Sequence, residues 1–168
     1  MLNLLRKSAA RKREGHQLSD GLVSRARQAV FFADFGVADS IDGRFDLLVF
    51  HAWMVLAELQ ARGGELQAQG LTDALFTGFD EAMREQGAGD MGLGRKMKSF
   101  ANAFYGRLGA YQQAANQAEL AAALAKNLWR GAPLDTRAHT LAAYAASARK
   151  SLHESLPGAL DFGPLPSI

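Results

Sequence analysis

The sequence predicts an all-α protein that forms a single-domain bundle of about six helices. Apolar side chains recur at spacings of three and four residues along most of the chain, as they do on the buried face of a helix. No stretch of strand length alternates between polar residues and β-branched or aromatic ones. The chain has 168 residues, of which 48% are hydrophobic, so it is long enough to bury one core.

Three helices are predicted in the first half of the chain, and each ends at glycine, which readily adopts the left-handed angles that follow a helix. They span residues 19–36, 42–63 and 72–87. Ser19 or Asp20 caps the first helix and Thr72 caps the third, because short polar side chains accept hydrogen bonds from the free N–H groups of a first turn.

A glycine-rich loop from Gly87 to Gly94 separates these helices from three more. The fifth predicted helix ends at Gly131, and Pro133 opens the sixth. The loop matches G-x-G-x-x-G, but that motif binds nucleotides between a strand and a helix, and here the preceding segment is helical. A connection between two helices explains the glycines better.

The two ends of the chain differ from the helical domain, which is predicted for residues 19–156. Residues 1–18 form a basic amphipathic arm, and residues 157–168 form a proline-containing tail that is either an extended strap or disordered. The arm either lies on an anionic membrane surface or is a frayed, solvated terminus. Its candidate membrane-contact residues are Leu2, Leu4, Leu5, Arg6, Lys7, Arg11, Lys12 and Arg13.

Charge and composition restrict the function classes. The net charge is only +2 and its excess lies in the arm, whereas a nucleic-acid-binding protein normally spreads positive charge over its folded domain. The absence of cysteine excludes disulfides, thiolate metal sites and cysteine nucleophiles. No apolar run approaches the about 20 residues that span a bilayer, and no signal peptide is recognised. We therefore expect a soluble protein on the side of the membrane where it is made.

No residue pattern predicts catalysis, and we expect no metal, cofactor or small-molecule substrate. The four histidines lack a second histidine or carboxylate at the spacing of the helical metal motifs. His51 is predicted to be partly buried with its hydrogen bonds satisfied. A Ser-His-Asp triad stays open because its members come from distant positions, but no nucleophile-elbow motif supports one.

The fourth predicted helix has features that favour binding of another protein. Its first turn is basic, with Arg95, Lys96 and Lys98. Because cations there oppose the helix dipole, these residues either serve an acidic partner or form a solvated face. Gly106 stands inside the helical pattern at a cost of about 1 kcal/mol relative to alanine. Tyr105 and Tyr111 lie off the apolar stripe, either as exposed recognition residues or as core residues with the hydroxyl at the surface.

Three segments, taken in order, carry a resemblance to a known family. They are Ala33–Ser40 followed by Asp42–Asp46 and His51, then Gly89–Lys98, and then Ala103–Leu108 followed by Tyr111. In order and spacing they resemble the ubiquinol–cytochrome c chaperone family, the assembly factors for cytochrome b of respiratory complex III. The likeness covers roughly Ser19 to Lys150. The chain does not show the long N-terminal extension of mitochondrial relatives, so it resembles a bacterial member.

The resemblance implies a non-catalytic helical chaperone that binds newly made cytochrome b during biogenesis of the ubiquinol–cytochrome c reductase complex. It implies work in the bacterial cytoplasm, at the inner face of the cytoplasmic membrane. The alternative is a general helical scaffold or adaptor for soluble partners. A haem-binding protein with His51 as axial ligand and a nucleic-acid-binding domain that uses the basic turn are further alternatives.

We assign the residues of these segments to two groups. The predicted partner-binding residues are Asp90, Met91, Arg95, Lys96, Lys98, Phe104, Tyr105, Arg107 and Tyr111. The predicted structural residues are Asp42, Gly43, Arg44, Phe45, Asp46 and His51. Among the structural residues, Asp42 is expected to cap a helix, and Arg44 is expected to tie a loop to that helix by bidentate bonding.

Overall fold

The computed structural model describes residues 2–85, 87 and 90–168, and the side chains of all of these except residues 2–5, 90 and 91. This part of the chain contains seven α-helices and no strand. They are α1 (Leu2–Ala26), α2 (Ala29–Ala33), α3 (Ile41–Ala61), α4 (Glu65–Glu85), α5 (Asp90–Gln113), α6 (Gln117–Leu128) and α7 (Thr136–Ser155). The all-α prediction is confirmed, with seven helices because the stretch predicted as the first helix belongs to both α1 and α2.

α3 is the centre of the fold. It contacts α1, α4, α5, α6 and α7, and every residue from Phe45 to Leu59 is buried. A helix that is mostly apolar on all sides is expected to be enclosed by others. Ser40 caps α3 by accepting a hydrogen bond from the backbone N–H of Gly43 at 3.1 Å, so the predicted cap at Asp42 is wrong. Asp42 lies in the first turn, where an acid favours the helix dipole.

α1 begins at Leu2 and not at the predicted Ser19, and the boundary predicted at residue 18 lies inside it. The apolar side chains of the arm are too few to predict this helix, which is stabilised instead by packing against α4. The two backbones approach closely at two glycines: a Cβ atom added to Gly15 would lie 2.2 Å from the carbonyl oxygen of Gly70. A pair of glycines thus lets α1 lie directly on α4.

The predicted starts of α4 and α5 are also wrong. α4 begins at Glu65, and Thr72 lies inside it, where the hydroxyl donates a hydrogen bond to the carbonyl oxygen of Ala68 at 2.9 Å. α5 begins at Asp90, so its first turns include Gly92 and other residues that were predicted to form a loop. Glycine disfavours helix in isolation, and here the surrounding fold overrides that preference.

The loop between α6 and α7 turns sharply after α6. Arg130 and Gly131 have φ angles of 56° and 81°. Left-handed angles are costly for arginine, and such residues persist where the surrounding structure holds them. The guanidinium of Arg130 lies 3.0 Å from the Asp46 carboxylate on α3. α7 begins at Thr136 and not at the predicted Pro133, because Asp135 caps it by accepting a hydrogen bond from the backbone N–H of Arg137.

The C-terminal tail is the extended strap of the two predicted alternatives. Phe162 is buried, and its ring lies 5.4 Å from the His51 ring of α3. Arg25 of α1 donates a hydrogen bond to the carbonyl oxygen of Pro164 at 2.6 Å. The strap therefore closes the core between α1 and α3.

Candidate functional site

Six aromatic side chains from three helices form a continuous group, which we call the aromatic cluster. They are Phe45 of α3, Phe76 and Phe79 of α4, and Phe100, Phe104 and Tyr105 of α5. Neighbouring ring centroids lie 5.0–6.1 Å apart, a range in which aromatic pairs attract each other. The cluster joins α4 and α5 to the start of α3.

The outer edge of the aromatic cluster reaches the surface. Tyr105 is 56% exposed and stacks on Phe76, with ring planes 21° apart. Phe76, Phe79 and Phe100 are partly buried, whereas Phe104 is fully buried beneath them. An aromatic surface of this kind suits contact with another protein, because aromatic side chains are enriched in interface cores.

Arg107 points into the fold rather than away from it. Its Nη2 atom lies 2.8 Å from Oδ1 of Asp46, and its guanidinium lies over the Phe45 ring at 5.2 Å. Asp46 is fully buried, and its other oxygen lies 3.0 Å from Nη2 of Arg130. The two oxygens are held by charge rather than by well-aligned hydrogen bonds. This ion pair connects α3, α5 and the α6–α7 loop.

The environment of Asp46 works against its charge. Burial raises the pKa of Asp46, because a low-dielectric interior disfavours the carboxylate, while Arg107 and Arg130 lower that pKa. Arg107 and Arg130 therefore each offset part of the free-energy cost of desolvating the Asp46 carboxylate. Loss of either would leave the carboxylate under-compensated.

Tyr111 is also a core residue. It is 1% exposed, and its ring lies 5.9 Å from Phe50 and 5.7 Å from Trp53. Burial raises the pKa of Tyr111 above its usual range. Phe104 and Tyr111 were predicted to lie on a partner-binding surface, but neither side chain reaches the surface in this conformation.

The basic residues of α5 lie on its exposed side. Arg95, Lys96 and Lys98 are all exposed, and none forms an ion pair with a described residue. Because α5 begins at Asp90, they occupy its second and third turns and not the predicted first turn. The side chains of Asp90 and Met91, which were predicted to join them, lie outside the described residues.

Comparison with known proteins identifies the family. The family model described as Ubiquinol-cytochrome C chaperone matches residues 33–158. The chain belongs to the ubiquinol-cytochrome C chaperone family. The crystal structure of the Cbp3 homolog from Brucella abortus is similar, with 31% sequence identity and a TM-score of 0.81 over 97% of this chain and 96% of that chain. No curated protein matches the chain.

Membership of the ubiquinol-cytochrome C chaperone family confirms the resemblance found in the sequence, and it supports a role in assembly of complex III with a protein as client. The geometry shows why two of the resembling segments belong together. Asp46 at the end of the first segment pairs with Arg107 of the third, and Phe45 contacts Phe100 just before it. The family segments thus meet at the aromatic cluster.

The predicted structural residues of the chaperone hold the start of α3. A Cβ atom added to Gly43 would lie 1.9 Å from the carbonyl oxygen of Ala38, so the chain turns here only with glycine. Nε of Arg44 lies 2.7 Å from Oδ1 of Asp39, and the hydrogen bond from Arg44 lowers the pKa of Asp39. Arg44 ties loop to helix, but through one contact rather than a bidentate pair.

His51 is buried completely and its hydrogen bonds are satisfied. Nδ1 lies 2.8 Å from the carbonyl oxygen of Leu47, and Nε2 lies 3.1 Å from the hydroxyl of Tyr144. Since a carbonyl only accepts, Nδ1 carries the proton and Nε2 accepts from Tyr144, whose oxygen accepts in turn from Arg25 at 2.9 Å. Burial lowers the pKa of His51 to about 3, so this histidine is neutral. Both ring nitrogens are occupied, which argues against an axial haem ligand.

The basic arm forms the first turns of α1. Arg6, Lys7, Lys12 and Arg13 are exposed, and Arg11 is partly buried at the contact with Gly70 of α4. The side chains of Leu2, Leu4 and Leu5 lie outside the described residues. In the part of the chain that is described, no helix combines the length and apolarity needed to cross a membrane.

A surface groove of about 660 Å³ lies between the end of α1, α2 and the start of α3. Arg27, Phe32 and Arg44 line it, and Phe32 is the only aromatic side chain among the described residues that line it. Among the described residues, no group of three or more His, Asp or Glu side chains is arranged to hold a metal ion. The groove thus presents one aromatic side chain, whereas the edge of the aromatic cluster presents the exposed Tyr105 and three partly buried phenylalanines.

Sequence reasoning missed three members of the candidate site. Phe76, Phe79 and Phe100 fall on apolar stripes, which are typical of core positions. Their partial exposure depends on how α4 and α5 pair, and no local signal marks that. The contact of Arg130 with Asp46 likewise joins distant positions and has no sequence signature.

Proposed function

We propose that this protein binds newly made cytochrome b and holds it, without catalysing a reaction, during assembly of the ubiquinol–cytochrome c reductase complex. The observation that carries the proposal is the exposed edge of the aromatic cluster, where Tyr105 stacks on Phe76. A newly made membrane subunit exposes apolar segments, and an aromatic edge can cover them. Family membership supports a protein client in complex III assembly.

The other predicted partner-binding residues with described side chains form an exposed group and an enclosed group. Arg95, Lys96 and Lys98 are exposed and form no ion pair with a described residue, so they can attract acidic parts of the client, which speeds encounter and selects orientation. Phe104, Arg107 and Tyr111 are enclosed, and their proposed role is to hold α5 in place beneath Tyr105. Asp90 and Met91 stay part of the proposed surface at the start of α5.

We also propose that the protein works at the cytoplasmic face of a bacterial membrane, with the arm against anionic lipid. Arg6, Lys7 and Arg13 are exposed, and each basic residue near an anionic surface contributes about 1 kcal/mol of binding.

The protein should float with phosphatidylcholine vesicles only when they contain phosphatidylglycerol. Replacing these three residues by glutamate should abolish flotation, whereas Lys150→Glu on α7 should not. If the wild type does not float with either vesicle, the arm does not contact lipid.

The test of the client is crosslinking and affinity capture from native membranes, with cytochrome b quantified by mass spectrometry. Tyr105→Ala should lower cytochrome b capture about tenfold, because it removes the exposed ring while Phe104 keeps α5 seated. Leu66→Ala is a matched control, since Leu66 is 62% exposed near the other end of α4. It should capture like the wild type, and both variants should keep the wild-type melting temperature within a few degrees.

Two outcomes would contradict the proposal. Capture of soluble proteins without cytochrome b by the wild type would favour a general helical adaptor instead. Equal loss of all respiratory complexes on gene deletion, rather than loss of complex III alone, would contradict a specific client.

A further inference from the structure

The outer side of α5 combines glycine, positive charge and an aromatic edge, and we call it the α5 face. Spacings of three and four residues align its members on one side of the helix. They are Arg95, Lys98, Asn102, Tyr105, Gly106 and Gly109. All are exposed except Gly109, which is partly exposed.

Gly106 and Gly109 are not required by the described part of the chain. Neither has a left-handed φ angle, and a Cβ atom added to either would have no atom within 4 Å. Gly15 is different, because an added Cβ would collide with α4. Alanine at positions 106 and 109 would stabilise α5, so the glycines weaken the helix without any gain inside the fold. Their bare backbone is available only to something outside it.

Charge on the α5 face has one sign. The chain contains no Asp or Glu between Met91 and Ala118, and Arg107 is already paired with Asp46. Arg95 and Lys98 therefore have no acidic residue after them on α5, and neither forms an ion pair with a described residue. The complementary partner is a segment that carries acidic side chains.

We propose that the α5 face receives a helix of the client, whose backbone crosses α5 at Gly106 and Gly109 and whose acidic end lies beside Arg95 and Lys98. Small residues let two helices approach closely, and this is a common device among helices of membrane proteins. Tyr105 flanks the crossing and covers apolar side chains of the incoming helix. Lys98 lies about 12 Å from Gly106 along the axis of α5. The point at which the two helices cross is therefore about two helical turns from the acidic end of the client helix. The inference rests on the proposed function, because it names the part of cytochrome b that is bound.

The test replaces both glycines by alanine and measures stability and capture together. The Gly106→Ala, Gly109→Ala double variant should melt several degrees above the wild type, because alanine favours helix and has room. It should capture about tenfold less cytochrome b, because two methyl groups separate the helices. Gly78→Ala on α4 is the matched control: it also has open space around an added Cβ, so it should raise the melting temperature and leave capture unchanged.

A second variant tests the charge. Arg95→Glu, Lys98→Glu should lower capture of cytochrome b several-fold at low salt, with an unchanged melting temperature. A photo-crosslinker at position 102 should label a helical segment of cytochrome b that carries Asp or Glu near one end.

The outcomes separate this inference from the proposed function. If the wild type captures cytochrome b and the double glycine variant captures it equally well, the helix crossing is wrong while the client stands. Labelling of an extended or basic segment from position 102 would also overturn it. If the wild type captures no cytochrome b, the proposed function itself has failed.

Discussion

The guanidinium of Arg107 reaches inward to the buried carboxylate of Asp46, with 2.8 Å between Nη2 and Oδ1. The contact joins α5 to the start of α3, and Arg130 completes it from the α6–α7 loop. Two residues before Arg107, the Tyr105 side chain faces outward and is mostly exposed. Arg107 therefore affects the candidate surface only by holding α5 against α3, whereas Tyr105 is itself part of that surface.

Replacing Arg107 by alanine should destabilise the fold by about 3 kcal/mol, since removal of one partner leaves a buried carboxylate under-compensated. Urea unfolding measures the change. Arg95→Ala is the matched control on the same helix and should shift the free energy of unfolding by less than about 0.5 kcal/mol. Wild-type stability in Arg107→Ala would show that the ion pair is not structural and would return Arg107 to the partner surface.

Stability should fall as the pH drops below 6.5, because His51 is neutral in the folded state. The folded protein does not protonate His51 until about pH 3, whereas the unfolded chain does so near the ordinary value of 6.5. The unfolded state therefore binds more protons in this window, and the free energy of unfolding falls by up to about 1.4 kcal/mol per pH unit. Urea titrations between pH 7 and pH 5 check this slope.

His51→Gln serves as the control for this pH dependence. Glutamine does not titrate, so the variant should be less stable at neutral pH but should lose most of the slope. The Asp46 carboxyl, whose pKa is raised by burial, acts in the opposite direction where carboxyls titrate. Asp46 is present in both proteins, so the difference in slope between the wild type and His51→Gln reports His51. An unchanged slope in His51→Gln would assign it to other groups.

Gly15→Ala should weaken the packing of α1 against α4. The added Cβ would lie 2.2 Å from the Gly70 carbonyl oxygen, a backbone atom that cannot turn aside. We expect a loss of about 1–3 kcal/mol, the usual cost of overpacking, with faster amide hydrogen exchange in the first half of α1. Gly78→Ala has open space and should slow exchange or leave it unchanged. Wild-type protection in Gly15→Ala would mean that the two helices do not pack through these glycines.

Phe162→Ala should release the C-terminal strap. The ring is buried against His51 and lies under the Arg25 guanidinium at 5.6 Å from its centroid. Truncating a buried phenylalanine costs about 3 kcal/mol. We expect loss of this contact to release the strap, which subtilisin should then cleave rapidly within residues 159–168. Leu165→Ala, at a 42% exposed position, should be cleaved at the wild-type rate. Equal rates for both variants would contradict the strap's anchoring through Phe162.

The prediction of α3 succeeded because its information is local. Its apolar residues recur on every side, and a helix of that kind has to be enclosed. His51 was predicted to be partly buried and satisfied, since it stands next to the apolar stripe; its hydrogen bonds are satisfied, but its burial is complete. The start of α1 was predicted wrongly, because the large apolar side chains of residues 2–17 are confined to Leu2, Leu4 and Leu5. The helix is stabilised by packing on Gly70, which only the folded chain provides.

The sequence by itself determined that the chain is helical, that one helix covers most of α3 and that the family segments follow one another in order, because helical periodicity and motif order are properties of neighbouring residues. Only the tertiary structure decided which side chains of those segments face outward. Arg107 and Tyr105 differ by two positions, yet one is drawn to a buried carboxylate on α3 and the other is left exposed against Phe76 of α4. The physical reason is that burial and charge pairing depend on which distant helices meet.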